Sequence, residues 1–142
     1  MPVAVAAVSA PLAADLLQDL QRVYADYPVF VSPEDALQAL QQGLAAGGTL
    51  YTGLFNARHI AAVLVVGEGE VRGMRYLSVH LATRGRGVAE RLVAEVRRLE
   101  AERGAQWLEA DFDLSQDGIP EMLLALGFIP HGEDNYRCRL QN

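Results

Sequence analysis

The sequence predicts an α/β domain, and three observations carry that prediction. The 142 residues suffice for one hydrophobic core and fall short of two ordinary domains, so residues 1–142 read as a single domain. Hydrophobic residues make up 51% and charged residues 21%, a composition of soluble globular chains and not of disordered ones. The apolar period then switches repeatedly between helical and alternating. The resulting order is strand, two helices, three strands, helix, strand, helix and two strands.

Residues 3–8 are short, apolar and valine-rich, as in a buried strand, and Pro11 stands where a helix can begin. Leu12, Leu16, Leu20, Val23 and Tyr27 recur at helical spacing until Pro28 stops the pattern. Ser32-Pro33-Glu34-Asp35 is a second start signal: Ser caps, Pro fits the first turn and the acids meet the positive end. Leu37, Leu40 and Leu44 follow, and Gly47-Gly48 closes the helix. Residues 50–55 and 60–66 read as a hairpin about Asn56-Ala57-Arg58-His59, and Gly67-Glu68-Gly69-Glu70 turns the chain into a third strand over 71–81. Val88, Leu92, Val96 and Leu99 line one side of the next helix, with Arg91, Glu95, Arg98 and Glu102 at pairing distance on the other. Over 106–113 Leu108, Ala110 and Phe112 alternate with Glu109, Asp111 and Asp113, which predicts a strand with one acidic face. Residues 119–126 form a short apolar helix ended by Gly127, and 128–140 a last strand pair turning near Gly132-Glu133-Asp134.

Composition excludes several functions. No apolar run reaches the roughly 18 to 20 residues of a membrane span. Residues 2–14 carry no cation of the kind a secretory leader needs, the first being Arg22, so they read as a strand and helix start in a cytoplasmic protein. A net charge of −6 without a dense basic cluster argues against nucleic acid as a partner. All 12 cationic residues are Arg, so no lysine is present to be acetylated. Cys138 is the lone cysteine and sits in an alternating segment, as a strand residue. His59, His80 and His131 have no second His or Cys at ligand spacing, so no metal site is expected. Trp107 and Phe112 read as core aromatics.

One short segment carries chemistry: Arg84-Gly85-Arg86-Gly87-Val88-Ala89, which joins the third hairpin strand to a strongly helical run. The first turn of a helix leaves about four N–H donors unpartnered and roughly half a positive charge. Glycines at 85 and 87 would let a phosphate approach that backbone, and Arg84 and Arg86 add charge at the rim. The same pair also serves as a plain tight turn from strand to helix.

Arg84-x-x-Gly87-x-Ala89, with Leu77-x-Val79 before it and Leu126-Gly127-Phe128 closing the fourth helix, resembles the GNAT superfamily of acetyl-CoA-dependent acetyltransferases over nearly the whole chain. The resemblance implies the GNAT fold: a mixed, mostly antiparallel central sheet of about six to seven strands flanked by about four helices. It implies acetyl-CoA (coenzyme A) as cofactor. The backbone of Leu77, Ser78 and Val79 would pair with the pantetheine arm like an added strand, and Thr83, Arg84, Gly85, Arg86, Gly87, Val88, Ala89 and Glu90 would wrap the pyrophosphate. Neither Gly-x-x-x-x-Gly-Lys-Ser/Thr nor Gly-x-Gly-x-x-Gly with a following acidic strand end is present. Residues 20–27, Phe55-Asn56-Ala57-Arg58, Ala61-Ala62-Val63, 77–93, Ala110-Asp111 and 125–128 are similar to the PanZ-like family, acetyl-CoA-binding proteins that promote maturation of aspartate decarboxylase.

Acetyl transfer needs a base for the amine, a donor to the thioester carbonyl and an acid for the leaving thiolate. By the resemblance the Val79 N–H polarises the carbonyl, and Asp111 is the candidate base; Glu109, Asp111 and Asp113 also read as a plain solvated strand face. Many superfamily enzymes place a Tyr four residues before the Gly of Leu-Gly-Phe, where this chain has Leu123. Tyr136 is the substitute candidate, or a packing residue, and His80 either lines an acceptor pocket or is simply packed. Two functions follow: an N-acetyltransferase acting on a small amine or a protein N-terminus, or an acetyl-CoA sensor without turnover that binds a decarboxylase precursor.

Overall fold

The computed structural model describes residues 2–114, 116 and 118–141. In chain order the elements are β1 (Ala4–Val8), α1 (Ala14–Val23), α2 (Pro33–Ala45), β2 (Thr49–Phe55), β3 (Arg58–Val66), β4 (Val71–Val79), a 3₁₀ turn (Leu81–Thr83), α3 (Val88–Glu102), β5 (Trp107–Asp111), α4 (Ile119–Ala125), β6 (Ile129–Pro130) and β7 (Tyr136–Arg139). The strands form one seven-stranded sheet in the order β1-β2-β3-β4-β5-β7-β6. All neighbours run antiparallel except β4 and β5, which α3 joins as a crossover. This is the mixed, mostly antiparallel sheet with four helices that the GNAT resemblance implies, with the elements in the order the sequence pattern predicts. Among the described residues no helix is long and apolar enough to cross a membrane.

Local signals explain the centre of the sheet. Asn56 and Ala57, at φ +51° and +63°, make a two-residue turn whose twist suits the β2–β3 hairpin, closing on the pair Phe55 and Arg58. Ser32 caps α2 by accepting the Asp35 N–H at 3.3 Å. Helices cover both faces of β3, so residues 60–65 are buried without alternation. On one face Leu16, Leu20 and Val23 of α1 and Leu37, Leu40 and Leu44 of α2 pack on Leu50, Ala62 and Leu64. On the other, Val88, Leu92 and Val96 of α3 and Leu123 of α4 pack on Val63, Leu108 and Ala110. Fully burying side chains such as Leu20, Leu40, Leu92 and Leu108 contributes about 2 kcal/mol each. Buried Asp19 on α1 accepts from Arg58 Nε at 3.1 Å and the His59 N–H at 2.9 Å, pinning α1 to the hairpin.

Several boundaries differ from the sequence expectations. Helix α1 ends at Val23, and Tyr27 lies in the turn beyond it, because the residue before Pro28 is pushed out of helical geometry. Strand β4 ends at Val79, not at residue 81. Strand β5 stops at Asp111, two residues short of the expected acidic face. Cys138 is a buried strand residue and Phe112 a core aromatic, as expected. Trp107 is half-buried, with the Arg137 guanidinium 4.0 Å from its ring centroid, a cation–π contact at the sheet surface and not a core position.

Candidate functional site

Strand β4 carries an extra residue. Leu64 pairs with Arg75 and Ala62 with Ser78, so Tyr76 bulges, at φ +61°, where Tyr24 Oη donates to its carbonyl at 2.5 Å. The ladder between β4 and β5 ends at Arg75 and Asp111, just before that bulge. Residues 77–79 therefore keep β3 as a neighbour and have no partner strand opposite among the described residues. The His80 N–H donates to Ile60 O at 2.8 Å, so by strand alternation the N–H and C=O of Val79 point to the open edge. Ser78 spends its hydroxyl on Val23 O at 2.6 Å, inside the protein.

Beyond β4 the 3₁₀ turn leads into two left-handed glycines, Gly85 at φ +78° and Gly87 at φ +77°, the second being the residue before α3. An added Cβ at either would meet nothing within 4 Å, so the backbone faces open space. The first internal bond of α3 runs from the Arg91 N–H to Gly87 O, which leaves the N–H groups of residues 88–90 at the helix start.

The strand edge and the helix start share one cleft of about 420 Å³. Of the residues expected around a cofactor, Leu77, Ser78, Val79, Thr83, Arg84, Gly85, Gly87, Val88, Ala89 and Glu90 line it, and Arg86 does not, standing exposed on the loop. Asp26, Tyr27 and Pro28 after α1, and Gln116, Ile119 and Met122 around α4, complete the wall. The sequence carried one signal for Asp26 and Tyr27, the similarity over residues 20–27; Pro28 was marked only as a helix stop, and nothing marked the others.

Arg84 is committed within the protein. Its Nη1 and Nη2 donate to the two Asp26 carboxylate oxygens at 2.8 and 2.6 Å, and its Nε donates to Val79 O at 2.9 Å. The guanidinium holds the Asp26 carboxyl below the usual carboxylate range. Tyr27 packs between Tyr24 and Phe30, at ring-centroid distances of 5.5 and 5.6 Å, and Phe30 stacks on Tyr76. Burial, with the Asp113 charge and Tyr76 nearby, pushes the Tyr27 phenol up to about 12.

The residues expected to handle protons lie elsewhere. Asp111 accepts from Asn135 Nδ2 at 2.8 Å, stands 3.8 Å from Arg75 Nε, and is not among the residues lining the cleft. Tyr136 pairs with Ala110 and Pro130 in the ladder and packs partly buried against the core. Leu123 is fully buried, with its carbonyl accepting the Phe128 N–H at 2.9 Å. His80 accepts the Ala82 N–H on Nδ1 at 3.2 Å and is also outside the lining. Among the described residues no group of three His, Cys, Asp or Glu is placed to hold a metal ion.

An open edge on a bulged strand, followed by a glycine turn into a helix start, is the architecture of a GNAT acetyltransferase domain, and solved structures of that class share the fold. A GNAT family acetyltransferase from Elizabethkingia anophelis with acetyl-CoA bound is 16% identical at a TM-score of 0.71, over 96% of this chain and 97% of that one. The ribosomal-protein-S18-alanine N-acetyltransferase of Escherichia coli reaches a TM-score of 0.77 at 10% identity, over 99% and 96%. The PaiA N-acetyltransferase of Thermoplasma acidophilum, in complex with coenzyme A, gives 0.70 at 9% identity, over 98% and 99%. The family model described as "Acetyltransferase (GNAT) domain, PanZ" matches residues 2–136, and the chain belongs to the PanZ family. No sequence match was found among curated proteins.

Proposed function

We propose that the cleft holds acetyl-CoA and that the chain acts in the cytoplasm as an acetyl-CoA sensor, binding a protein partner when loaded without sustained turnover. The residues fit the cofactor along its length. Open glycines and free N–H groups of residues 88–90 suit the pyrophosphate, the unpaired edge of 77–79 suits the amides of the pantetheine arm, and Leu77, Ile119 and Met122 offer apolar wall. Acetyl-CoA would supply an activated acyl group there, and the Val79 N–H is the group placed to polarise its carbonyl.

The observation that carries the sensor reading is the cleft's shortage of groups that move protons. Asp111 and Tyr136 are absent from the lining, Leu123 is sealed in the core, and the two lining acids are committed or exposed, Asp26 on Arg84 and Glu90 in the first turn of α3. Family membership supports the same reading, with an aspartate decarboxylase precursor as the partner class. A second reading, N-acetyl transfer to a small amine or a protein N-terminus, is favoured by Tyr27, a phenol in the lining that stays protonated at neutral pH. Thiol release measured over a panel of amines and N-terminal peptides separates the two. The sensor predicts no sustained release, together with acetyl-CoA-dependent association with the precursor. Sustained turnover without association overturns it.

A further inference from the structure

We propose that the Asp26–Arg84 ion pair is a latch which the diphosphate of acetyl-CoA opens, so that cleft occupancy is felt in the loop after α1. The inference rests on reading the cleft as a CoA site. Arg84 is the sole cation among the described lining residues, and two carboxylates, Asp26 and Glu90, share that wall. A dianionic diphosphate at the start of α3 therefore meets more negative than positive side-chain charge unless Arg84 turns to it. Both Arg84 terminal nitrogens are held by Asp26, and its Nε donates to the Val79 carbonyl at 2.9 Å, a contact that can persist when the two terminal nitrogens turn to the diphosphate. Loading the cleft thus competes for the guanidinium, since no other described lining residue carries a positive charge, and the competitor is Asp26.

What Asp26 holds is a short connection. The carboxylate sits in the turn after α1, and three residues further on Val29 is 59% and Val31 98% exposed, on a segment tied down otherwise by Tyr27 and Phe30 packing on Tyr24 and Tyr76. Release of Asp26 removes its ion pair with Arg84 from this segment and alters the surface presented by the two valines. Cofactor occupancy and the shape of this loop are then linked through differential affinity, as any such coupling must be.

Calorimetric titration of CoA, and separately of acetyl-pantetheine, into the wild-type chain and Asp26→Asn tests the latch. The Asp26 side chain is 46% exposed, so the substitution leaves the core intact. The latch predicts that Asp26→Asn binds CoA roughly threefold or more tighter than wild type, the scale of an exposed ion pair. Acetyl-pantetheine, which has no diphosphate, binds both alike. Equal or weaker CoA binding by the variant makes the pair a brace and overturns the latch, as does equal tightening toward acetyl-pantetheine. Absence of CoA binding by the wild type overturns instead the reading of the cleft. On the wild-type chain, amide exchange over residues 26–31 rises when CoA is added; unchanged or slower exchange contradicts the latch.

Discussion

Replacing Gly87 by Glu tests the cleft assignment most severely. Gly87 sits at φ +77° with open space where a Cβ would point, so the substitution meets no clash. Its cost to the fold is the left-handed conformation, about 1 to 2 kcal/mol. Its cost to binding is larger. A carboxylate about 5 Å from a phosphate charge, at an effective dielectric of about 20, adds about 3 kcal/mol of repulsion, or on the order of a hundredfold in affinity. Gly87→Ala shares the backbone strain without the charge and serves as the control. Acetyl-CoA affinity by calorimetry, with thermal unfolding to establish that both variants are folded, is the assay. The expected order is wild type, then Ala, then Glu far behind. A folded Gly87→Glu with wild-type affinity refutes the placement of the pyrophosphate at the start of α3.

Other consequences follow from named contacts. Glu100 is 1% exposed and accepts from Tyr51 Oη and from Arg72 Nη1 at 2.9 Å, so Glu100→Ala strands a guanidinium and a phenol; stability should fall by about 3 kcal/mol, read as a drop of roughly 10 °C in Tm. Leu123→Ala leaves a cavity in the core between α4 and the sheet and should cost about 3 kcal/mol in urea unfolding. Asp111→Asn and Tyr136→Phe should each leave acetyl-CoA affinity within about twofold of wild type, since neither lines the cleft; a tenfold loss would bring that residue into the site. Arg84 depresses the Asp26 carboxyl, so this pair's stabilisation is present above the unfolded value of about 4 and is lost as pH falls through the folded one. The stability difference between wild type and Asp26→Asn, at most about 1 kcal/mol for so exposed a pair, should vanish in acid.

The parts of the fold visible in sequence are those set by local chemistry. The hairpin about residues 56–59, Ser32 before Pro33, and Leu92 and Val96 at helical spacing are each specified within a few residues; the structure has the cap and the buried face where expected, and the hairpin with its turn tightened to Asn56-Ala57, Arg58 and His59 joining β3. Gly85 and Gly87 are legible for the same reason, because a left-handed backbone selects glycine. Long-range consequences were hidden. Nothing in Arg75-Tyr76-Leu77 announces a bulge, which arises from pairing β4 against β3 while β5 leaves it. Asp26 and Arg84 are 58 residues apart and meet because the turn after α1 reaches the end of β4, where Val23 O accepts from Ser78 and Tyr24 bonds the Tyr76 carbonyl. Alternation along 106–113 put Asp111 on a face correctly but could not say what that face meets, and Asn135 and Arg75 meet it.

The central claim is that the cleft binds acetyl-CoA without consuming it. Titration of the wild-type chain with acetyl-CoA in the presence of amines and a thiol-reactive chromophore tests both halves at once. The account predicts saturable binding at one equivalent with no thiol released beyond that equivalent. Continuous thiol release contradicts the sensor, and absence of saturable binding contradicts the site itself.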